Sequence, residues 1–332
     1  MQILTSIQAM RSASRAVRYG ANGTARGRVP TLGLVPTMGA LHEGHLALVR
    51  AAKESCDCVA VSIFVNPTQF GPNEDFTKYP RTFERDCELL EREEVAFLFA
   101  PPVGEMNPAA MNSGGGDSRG RDSTGGDPRD RETWVEVPGI GSRLDGASRP
   151  RHFRGVATVV TKLFHIVQPD RAFFGQKDAA QVAVLRAMVR DLNFDVELVV
   201  CPTVREGDGL ALSSRNRFLD AREREQALAL SRSLREVERT AAEGQRDAAA
   251  LRAVLLGGLQ SADGIRLDYA EVVDADTLEP VSDVREGALV AVAAWVGSTR
   301  LIDNVVLAPE FGLTSEIGLT PEFAGETGEG SL

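Results

Sequence analysis

Two histidines stand three residues apart in the segment PTMGALHEGH (36–45), which joins a short apolar run to a helix-like pattern. His42 and His45 fall where that helix would begin, and the unpaired N–H groups and dipole of a helix start favour an anion. A histidine there can donate to a phosphate oxygen and stabilise charge that develops on phosphorus. Gly39 and Gly44 allow a tight turn and a close approach to the ligand. The segment therefore predicts a phosphate-binding turn.

Two other interpretations of this turn stay open. The histidines could be ordinary cap or surface residues, or they could form a metal-binding pair. The whole chain has only four histidines, and the presence of two of them in one turn favours the phosphate interpretation. The Walker pattern GxxxxGK[ST] and the dinucleotide pattern GxGxxG are both absent from this segment.

A second cluster, FFGQKDAAQ (173–181), follows another apolar run. Lys177 offers a point charge for phosphates, and Asp178 suits ribose hydroxyls or a helix cap. Gln181, one turn further on, can both donate and accept hydrogen bonds. On its own, a Lys-Asp pair at a helix start is equally consistent with simple capping.

Two more clusters could complete a ligand site. In DGLALSSRN (208–216), two serine hydroxyls precede Arg215, which could clamp terminal phosphates from a mobile loop, although a surface turn with a capping serine is the alternative. In SIFVNPTQF (62–70), the neutral amides of Asn66 and Gln69 are suited to reading hydroxyl and carboxylate groups.

Several further residues are weaker candidates. Tyr79, Arg81 and Asp86 follow on a loop and helix that could edge the same cleft, while His152 and Arg154 could face either substrate or solvent. His165 is expected on an apolar helical face, in a structural role.

The elements around these clusters alternate in type. Apolar runs lie at 31–36, 59–65, 95–101, 171–175 and 196–201, and helix-like patterns lie at 45–56, 82–93, 156–167 and 179–192. Near-continuous apolar strands separated by helices are typical of a parallel sheet covered on both faces. We therefore predict a Rossmann-like, doubly wound α/β domain over residues 1–204, with ligands bound at the carboxyl ends of its strands.

The remaining sequence divides into three further segments. Helical patterns at 221–243 and 246–260 and short strands at 265–273, 287–296 and 300–307 predict a smaller α+β domain over 205–308. Residues 112–131 are rich in Gly, Ser, Asp and Arg and contain no apolar residue, which predicts a disordered insertion. Residues 309–332 are Gly-rich and acidic overall, which predicts a disordered tail. The apolar spacing in the first twenty residues predicts a surface helix.

The bulk composition limits the classes of function. A formal net charge of −10 disfavours general binding to nucleic acids or anionic membranes. No apolar run reaches the roughly 18–20 residues that span a bilayer, and the N-terminus lacks the pattern of a secretory signal, so we expect a cytoplasmic enzyme. The four cysteines are too sparse for a disulfide framework and are expected to be reduced.

The clusters also occur together and in one order. The set resembles the pantothenate synthetase (pantoate–β-alanine ligase) family across residues 30–307 outside the insertion, in VPTMGALHEGH, SIFVNPTQF, YPRT, HFRGVATVVTKLF, FFGQKD, DGLALSSRN and TRLIDN. The resemblance implies the H-x-G-H nucleotidylyltransferase type of fold, related to class I aminoacyl-tRNA synthetases. It also implies a two-step reaction, in which ATP and pantoate give pantoyl adenylate and β-alanine then displaces AMP.

The resemblance assigns roles to individual residues. The implied catalytic residues are His45, described as proton donor, with His42, Lys177 and Arg215. Pantoate would contact Gln69, Gln181 and Met38, and β-alanine would contact Gln69. The implied ATP site comprises Met38, Gly39, Ala40, Leu41, His42, Glu43, Gly44, His45, Gly175, Gln176, Lys177, Asp178, Val204, Leu212, Ser213, Ser214 and Arg215.

The resemblance further implies that Mg²⁺ arrives with ATP, near Asp86, without a fixed protein metal site. It implies a homodimer whose partners are small molecules. Where many members carry larger residues after GQKD, this chain has Ala179-Ala180, but Gln181 keeps its place.

Two competing functions stay open. A nucleotidylyltransferase would share the H-x-G-H turn, but the neutral Gln69 and Gln181 suit a carboxylate acceptor better than a phosphate one. A catalytically idle nucleotide-binding protein is the second alternative, although the charged candidates for phosphate contact are all present.

Overall fold

The computed structural model describes residues 1–20, 28–71, 76, 79–108 and 133–309. The predicted insertion at 112–131 lies outside the described residues, and so does the predicted tail apart from Pro309.

The first half of the fold is a six-stranded parallel sheet. Its strands are β1 (Gln2–Leu4), β2 (Leu32–Thr37), β3 (Cys58–Ile63), β4 (Phe97–Phe99), β5 (Arg171–Gly175) and β6 (Glu197–Cys201). They lie in the order β1-β4-β3-β2-β5-β6, and each neighbouring pair is parallel. The chain winds from β2 through β3 to β4 on one side and returns to β5 on the other. The topological switch point, where such sheets bind ligands, is therefore between β2 and β5.

Helices cover both faces of this sheet. They are α1 (Ile7–Tyr19), α2 (Glu43–Ser55), α3 (Phe83–Arg92), α4 (Val103–Met106), α5 (Asp145–Ser148), α6 (His152–Val167) and α7 (Ala179–Asp191). Along β2, Leu32 and Leu34 join the core built with α6 and α7, while Val35 joins the core built with α2 and α3. Successive strand residues point to opposite faces, so burial on both sides explains the unbroken apolar run. The doubly wound prediction is confirmed.

One strand was absent from the sequence prediction. Residues Gln2–Leu4 form β1 at the edge of the sheet, in register with Phe97–Phe99, and the expected helix begins only at Ile7. Three residues are too few to show an alternating pattern, so the edge strand follows from its pairing with β4 rather than from local sequence.

The C-terminal region, residues 205–308, is built on a second sheet. Strands β7 (Ile265–Val273), β8 (Ala288–Val296) and β9 (Thr299–Leu307) are antiparallel, and helices α8 (Ala221–Ala242) and α9 (Ala248–Gln260) pack on them. The parallel strands all precede residue 204 and the antiparallel strands all follow residue 205. The division into domains at that boundary stays a prediction.

The central strand of the second sheet joins the two regions. Val290 and Val292 of β8 pack into the core with α8 and α9, whereas Leu289 and Ala291 belong to the core of the parallel sheet. Burial on both faces again explains the apolar sequence of the strand. The C-terminal region thus packs on the parallel-sheet region through apolar contacts of β8. Among the described residues, no helix is long and apolar enough to cross a membrane.

Candidate active site

Three of the four sequence clusters meet at the switch point. The segment Met38–His45, called the histidine turn below, follows the end of β2. The GQKD loop (175–178) follows the end of β5, the neighbouring strand. Lys177 lies near enough to His42 for its charge to lower the pKa of that ring. The loop 208–216, which carries Ser213, Ser214 and Arg215, is called the serine–arginine loop below. A Cβ atom added at Gly44 would lie 3.7 Å from Leu212 Cδ2, so this loop lies beside the turn.

The histidine turn has an unusual backbone that is held by side chains. Gly39 and Ala40 have φ angles of 80° and 52°, and the second is strained for a residue with a Cβ atom. Asp86 of α3 is buried beneath the turn and accepts the Ala40 N–H at 2.8 Å and the Leu41 N–H at 2.9 Å. The Gly39 N–H donates to Thr37 Oγ1 at 3.2 Å. These bonds fix the conformation of the turn.

The Asp86 carboxylate uses both of its oxygens beneath the turn. Each oxygen accepts an N–H group of the turn, and Oδ1 also accepts from Thr82 Oγ1 at 3.0 Å. The arrival of Mg²⁺ with ATP near this residue stays a prediction. Within the part of the chain that the structure describes, no group of three or more His, Cys, Asp or Glu side chains could hold a metal. Asp86 therefore anchors the turn.

The two histidine rings are neutral neighbours. Their centroids are 4.1 Å apart. Burial, reinforced by the neighbouring ring, lowers the pKa of His45 to about 3, and burial together with Lys177 lowers the pKa of His42 to about 4. His45 Nδ1 accepts the His42 N–H at 3.4 Å, so the neutral ring carries its proton on Nε2. His45 can donate a hydrogen bond from Nε2, but at neutral pH its ring is not an imidazolium acid.

The GQKD loop supplies charge beside this neutral pair. Lys177 Nζ lies 3.5 Å from Asp178 Oδ1, and the lysine side chain is 16 % exposed. Burial alone would raise the pKa of Asp178, but the positive charges of Lys177 and Arg215 outweigh it and hold that pKa below its usual value. Ala179 and Ala180 are buried behind the loop.

The serine–arginine loop is fixed at its base and exposed at its tip. The buried Asn216 donates to Glu206 Oε1 at 2.7 Å and to the Ala211 carbonyl at 3.0 Å. Ser213 Oγ accepts the Arg215 N–H at 3.3 Å, and Arg215 itself is exposed. The Leu212 N–H donates to the Val204 carbonyl at 2.9 Å, which joins two further predicted ATP contacts.

Tyr79 reaches this loop, although sequence reasoning gave it little weight. Its hydroxyl forms a hydrogen bond with Ser214, and burial raises the pKa of Tyr79 to about 12, so the phenol stays protonated. Arg81 instead stacks over Phe76, with its guanidinium carbon 5.2 Å from the ring centroid. Glu43 at the start of α2 is exposed and paired with Arg50.

The fourth cluster places an amide beside the turn. Gln69 Nε2 lies 3.1 Å from Met38 Sδ, and Gln69 Oε1 accepts from Asn66 Nδ2 at 3.2 Å. The structure thus brings together two of the residues assigned to pantoate. Gln181 stands in the first turn of α7, directly after the GQKD loop.

The segment RPRHFRGV (149–156) contacts the backbone of Gln69. His152 Nδ1 lies 2.8 Å from the Gln69 carbonyl, and His152 Nε2 lies 3.0 Å from Arg149 Nη1. Arg154 stacks on Trp134, 4.2 Å from the ring centroid. His165 is exposed and not on the buried face of α6, because the face that packs on the sheet is formed by its apolar neighbours.

Comparison with known proteins places the chain in one family of enzymes. The family model described as pantoate–β-alanine ligase matches residues 2–306. The chain belongs to this family. A pantothenate synthetase of Acidobacterium capsulatum is 57 % identical over 310 residues, which cover 92 % of this chain and 97 % of the relative. A pantothenate synthetase of Thermotoga petrophila is 51 % identical and covers 92 % of this chain and 100 % of the relative.

Solved structures of this family have the same fold. The pantothenate synthetase of Thermus thermophilus is 42 % identical, with a TM-score of 0.79 over 93 % of this chain and 100 % of that one. The pantoate–β-alanine ligase of Francisella tularensis, complexed with β-γ ATP and β-alanine, is 31 % identical. Its TM-score is 0.68, over 94 % of this chain and 99 % of that one.

Sequence reasoning missed two functional features of the site. The anchoring role of Asp86 depends on packing between residues 45 and 46 positions apart, for which local sequence carries no signal. Residues Arg300–Asp303 of β9 line a cavity with Lys177, Ser213 and Arg215. The segment TRLIDN had supported the family resemblance, but without any role at the site.

Proposed function

We propose that this chain condenses (R)-pantoate with β-alanine to pantothenate, using ATP and passing through pantoyl adenylate. The observation that carries the proposal is the meeting of neutral histidine donors, Lys177 and a Gln69–Met38 pair at one switch point. Family membership and the relative complexed with β-γ ATP and β-alanine support it.

In the first step, a pantoate carboxylate oxygen attacks the α-phosphorus of ATP. The new P–O bond forms as the bond to the β-phosphate oxygen breaks, and pyrophosphate leaves. Such a step needs in-line positioning and neutralisation of charge more than a covalent nucleophile. His45 Nε2–H donates to a phosphate oxygen, while Lys177 and Arg215 stabilise the departing pyrophosphate.

In the second step, the amine of β-alanine attacks the acyl carbon of the adenylate. A C–N bond forms, the amine loses a proton, and AMP leaves with the electron pair of the broken C–O bond. The protein must hold the adenylate and exclude water. Gln69 orients the two acids, and the C-terminal region acts as a lid over the nucleotide.

The finer assignments belong to the same proposal. The ATP site consists of the turn from Met38 to His45, residues Gly175–Asp178, Val204 and Leu212–Arg215. Pantoate contacts Gln69, Gln181 and Met38, and β-alanine contacts Gln69. Mg²⁺ enters as part of the substrate MgATP, held by the phosphates. The enzyme works as a homodimer in the cytoplasm.

Exchange of labelled pyrophosphate into ATP tests the function. We expect exchange that depends on pantoate and needs no β-alanine, because adenylate formation is the reversible first step. A nucleotidylyltransferase would not require pantoate, and an idle nucleotide-binding protein would show no exchange. Either result, obtained with purified full-length chain, would overturn the proposal.

A further inference from the structure

The loop that carries Lys177 is held by hydrogen bonds from Asn304, a residue of the antiparallel sheet. Asn304 lies in β9 and is 4 % exposed. Its Nδ2 group donates to the carbonyl oxygens of Gln176 at 3.0 Å and Lys177 at 2.9 Å. Its Oδ1 atom accepts from Gln176 Nε2 at 3.0 Å. The NH₂ group and the oxygen of the Asn304 amide thus all form hydrogen bonds with one short loop.

Asn304 is itself held firmly. Its backbone N–H donates to Asp303 Oδ1 at 2.8 Å, and the buried Asp303 carboxylate accepts both Nη atoms of Arg205, at 2.6 and 3.0 Å. Arg205 stands opposite Ala211 in an isolated β-bridge at the base of the serine–arginine loop. A charge-assisted bidentate pair of this kind adds geometric specificity as well as energy.

This arrangement joins both cationic parts of the candidate site to one strand. Asn304 fixes the backbone under Lys177, and the neighbouring Asp303 fixes Arg205, from which the chain continues to Arg215. The parallel-sheet region supplies neither of these anchors. The position of β9 therefore sets the geometry of the charged half of the site.

We propose that Asn304 is a positioning residue, which couples docking of the C-terminal region to the placement of Lys177 for phosphate binding. The proposal rests on the proposed function, in which Lys177 contacts the phosphates of ATP. A displacement of about 1 Å in a positioning group can cost on the order of a hundredfold in rate. The bonds of the Asn304 amide go to Gln176 and Lys177 and to none of the proposed pantoate contacts, Gln69, Gln181 and Met38. The KM for pantoate should therefore change less than the KM for ATP.

The test is pyrophosphate exchange with the full-length variants Asn304→Ala and Asn304→Asp. Asn304→Ala removes all three bonds, and we expect the KM for ATP to rise about tenfold or more and kcat to fall, with the KM for pantoate changed less than about twofold. Asn304→Asp keeps the size of the side chain but turns carboxylate oxygens towards two carbonyls, so it should be at least as impaired. Asn304→Ser, which places no charge in this buried site, serves if the alanine variant does not fold.

A matched control lies in the same interface. Arg186 of α7 pairs with Asp276 of the C-terminal region at 2.7 Å, with both side chains largely exposed and away from the GQKD loop. Arg186→Ala should leave both KM values within about twofold of the wild type, because exposed pairs contribute little.

A double-mutant cycle separates positioning from simple stabilisation. If Asn304 acts through Lys177, Lys177→Ala should cost much less in the Asn304→Ala background than in the wild type. Equal costs in the two backgrounds, or folded Asn304 variants with a wild-type KM for ATP, would overturn the inference alone. A wild-type chain without pantoate-dependent exchange would overturn the proposed function and this inference together.

Discussion

The histidine turn and the GQKD loop face the same nucleotide, but they are anchored from different parts of the molecule. The Gly39, Ala40 and Leu41 amides are held by Thr37 and Asp86, both within the parallel-sheet region. The loop is held through its carbonyl groups by Asn304 of the second sheet. One half of the site is therefore formed within the first region, and the other half depends on docking of the second.

The two halves also differ in charge. The turn presents histidines that burial keeps neutral, whereas the loop presents the Lys177 ammonium group next to Asp178. Neutral donors can be placed in a buried turn at modest desolvation cost, but a buried cation needs a nearby counter-charge. The neutral donors of the site thus lie on the turn, and its positive charge lies on the loop that Asn304 contacts.

The largest effect should come from the turn. His45→Ala removes the Nε2 donor, and loss of one such transition-state donor costs about 2.7–4 kcal/mol, a fall of roughly a hundredfold to a thousandfold in kcat. Pyrophosphate exchange measures this loss, and circular dichroism should show an intact fold. The exposed His165→Ala is the matched control and should keep wild-type exchange. Unchanged exchange in His45→Ala would remove this residue from the chemistry.

A smaller effect should follow from loosening the anchor of the turn. Asp86→Asn replaces an acceptor with an NH₂ group, so one buried N–H of the turn loses its partner, which costs about 1–3 kcal/mol of stability. We expect a lower melting temperature and a KM for ATP raised about tenfold. Glu88→Gln, an exposed change on the same helix, should leave both quantities unchanged. A normal KM for ATP in Asp86→Asn would show that the turn needs no anchor.

The smallest predicted effect concerns pH. The pKa of His45 is lowered from 6.5 to about 3, so between these values the unfolded chain binds the extra proton. The contribution of His45 to stability is complete above pH 6.5 and is lost as pH falls towards 3. Wild type should therefore lose roughly 1 kcal/mol more unfolding free energy than His45→Gln between pH 6 and 5. Equal losses of unfolding free energy in the two proteins would contradict the neutral state of His45.

Much of this fold was accessible from the sequence, because the strands at 32–37 and 171–175 are buried on both faces and read as unbroken apolar runs. The histidine turn was also accessible, since two rare side chains and two glycines share one short segment. The edge strand Gln2–Leu4 was not, because three residues carry no periodic pattern.

The anchors of the site were inaccessible for a different reason. Asp86 and Asn304 act on backbone groups 46 and 128 positions away, and only tertiary packing brings those groups together. Sequence motifs identify side chains that contact a ligand. They do not show which buried polar group holds those side chains in place.

Hydrogen exchange on the full-length chain tests the comparison most directly, with Asp86→Asn and Asn304→Ala measured side by side. We expect the two variants to have opposite effects on the two segments. Asp86→Asn should speed exchange of the amides at 39–42 and leave those at 176–179 at their wild-type rates, and Asn304→Ala, which frees the carbonyl groups of the loop, should do the reverse. If each variant opened both segments, or neither variant opened its own, the separate anchoring of the two halves would be contradicted.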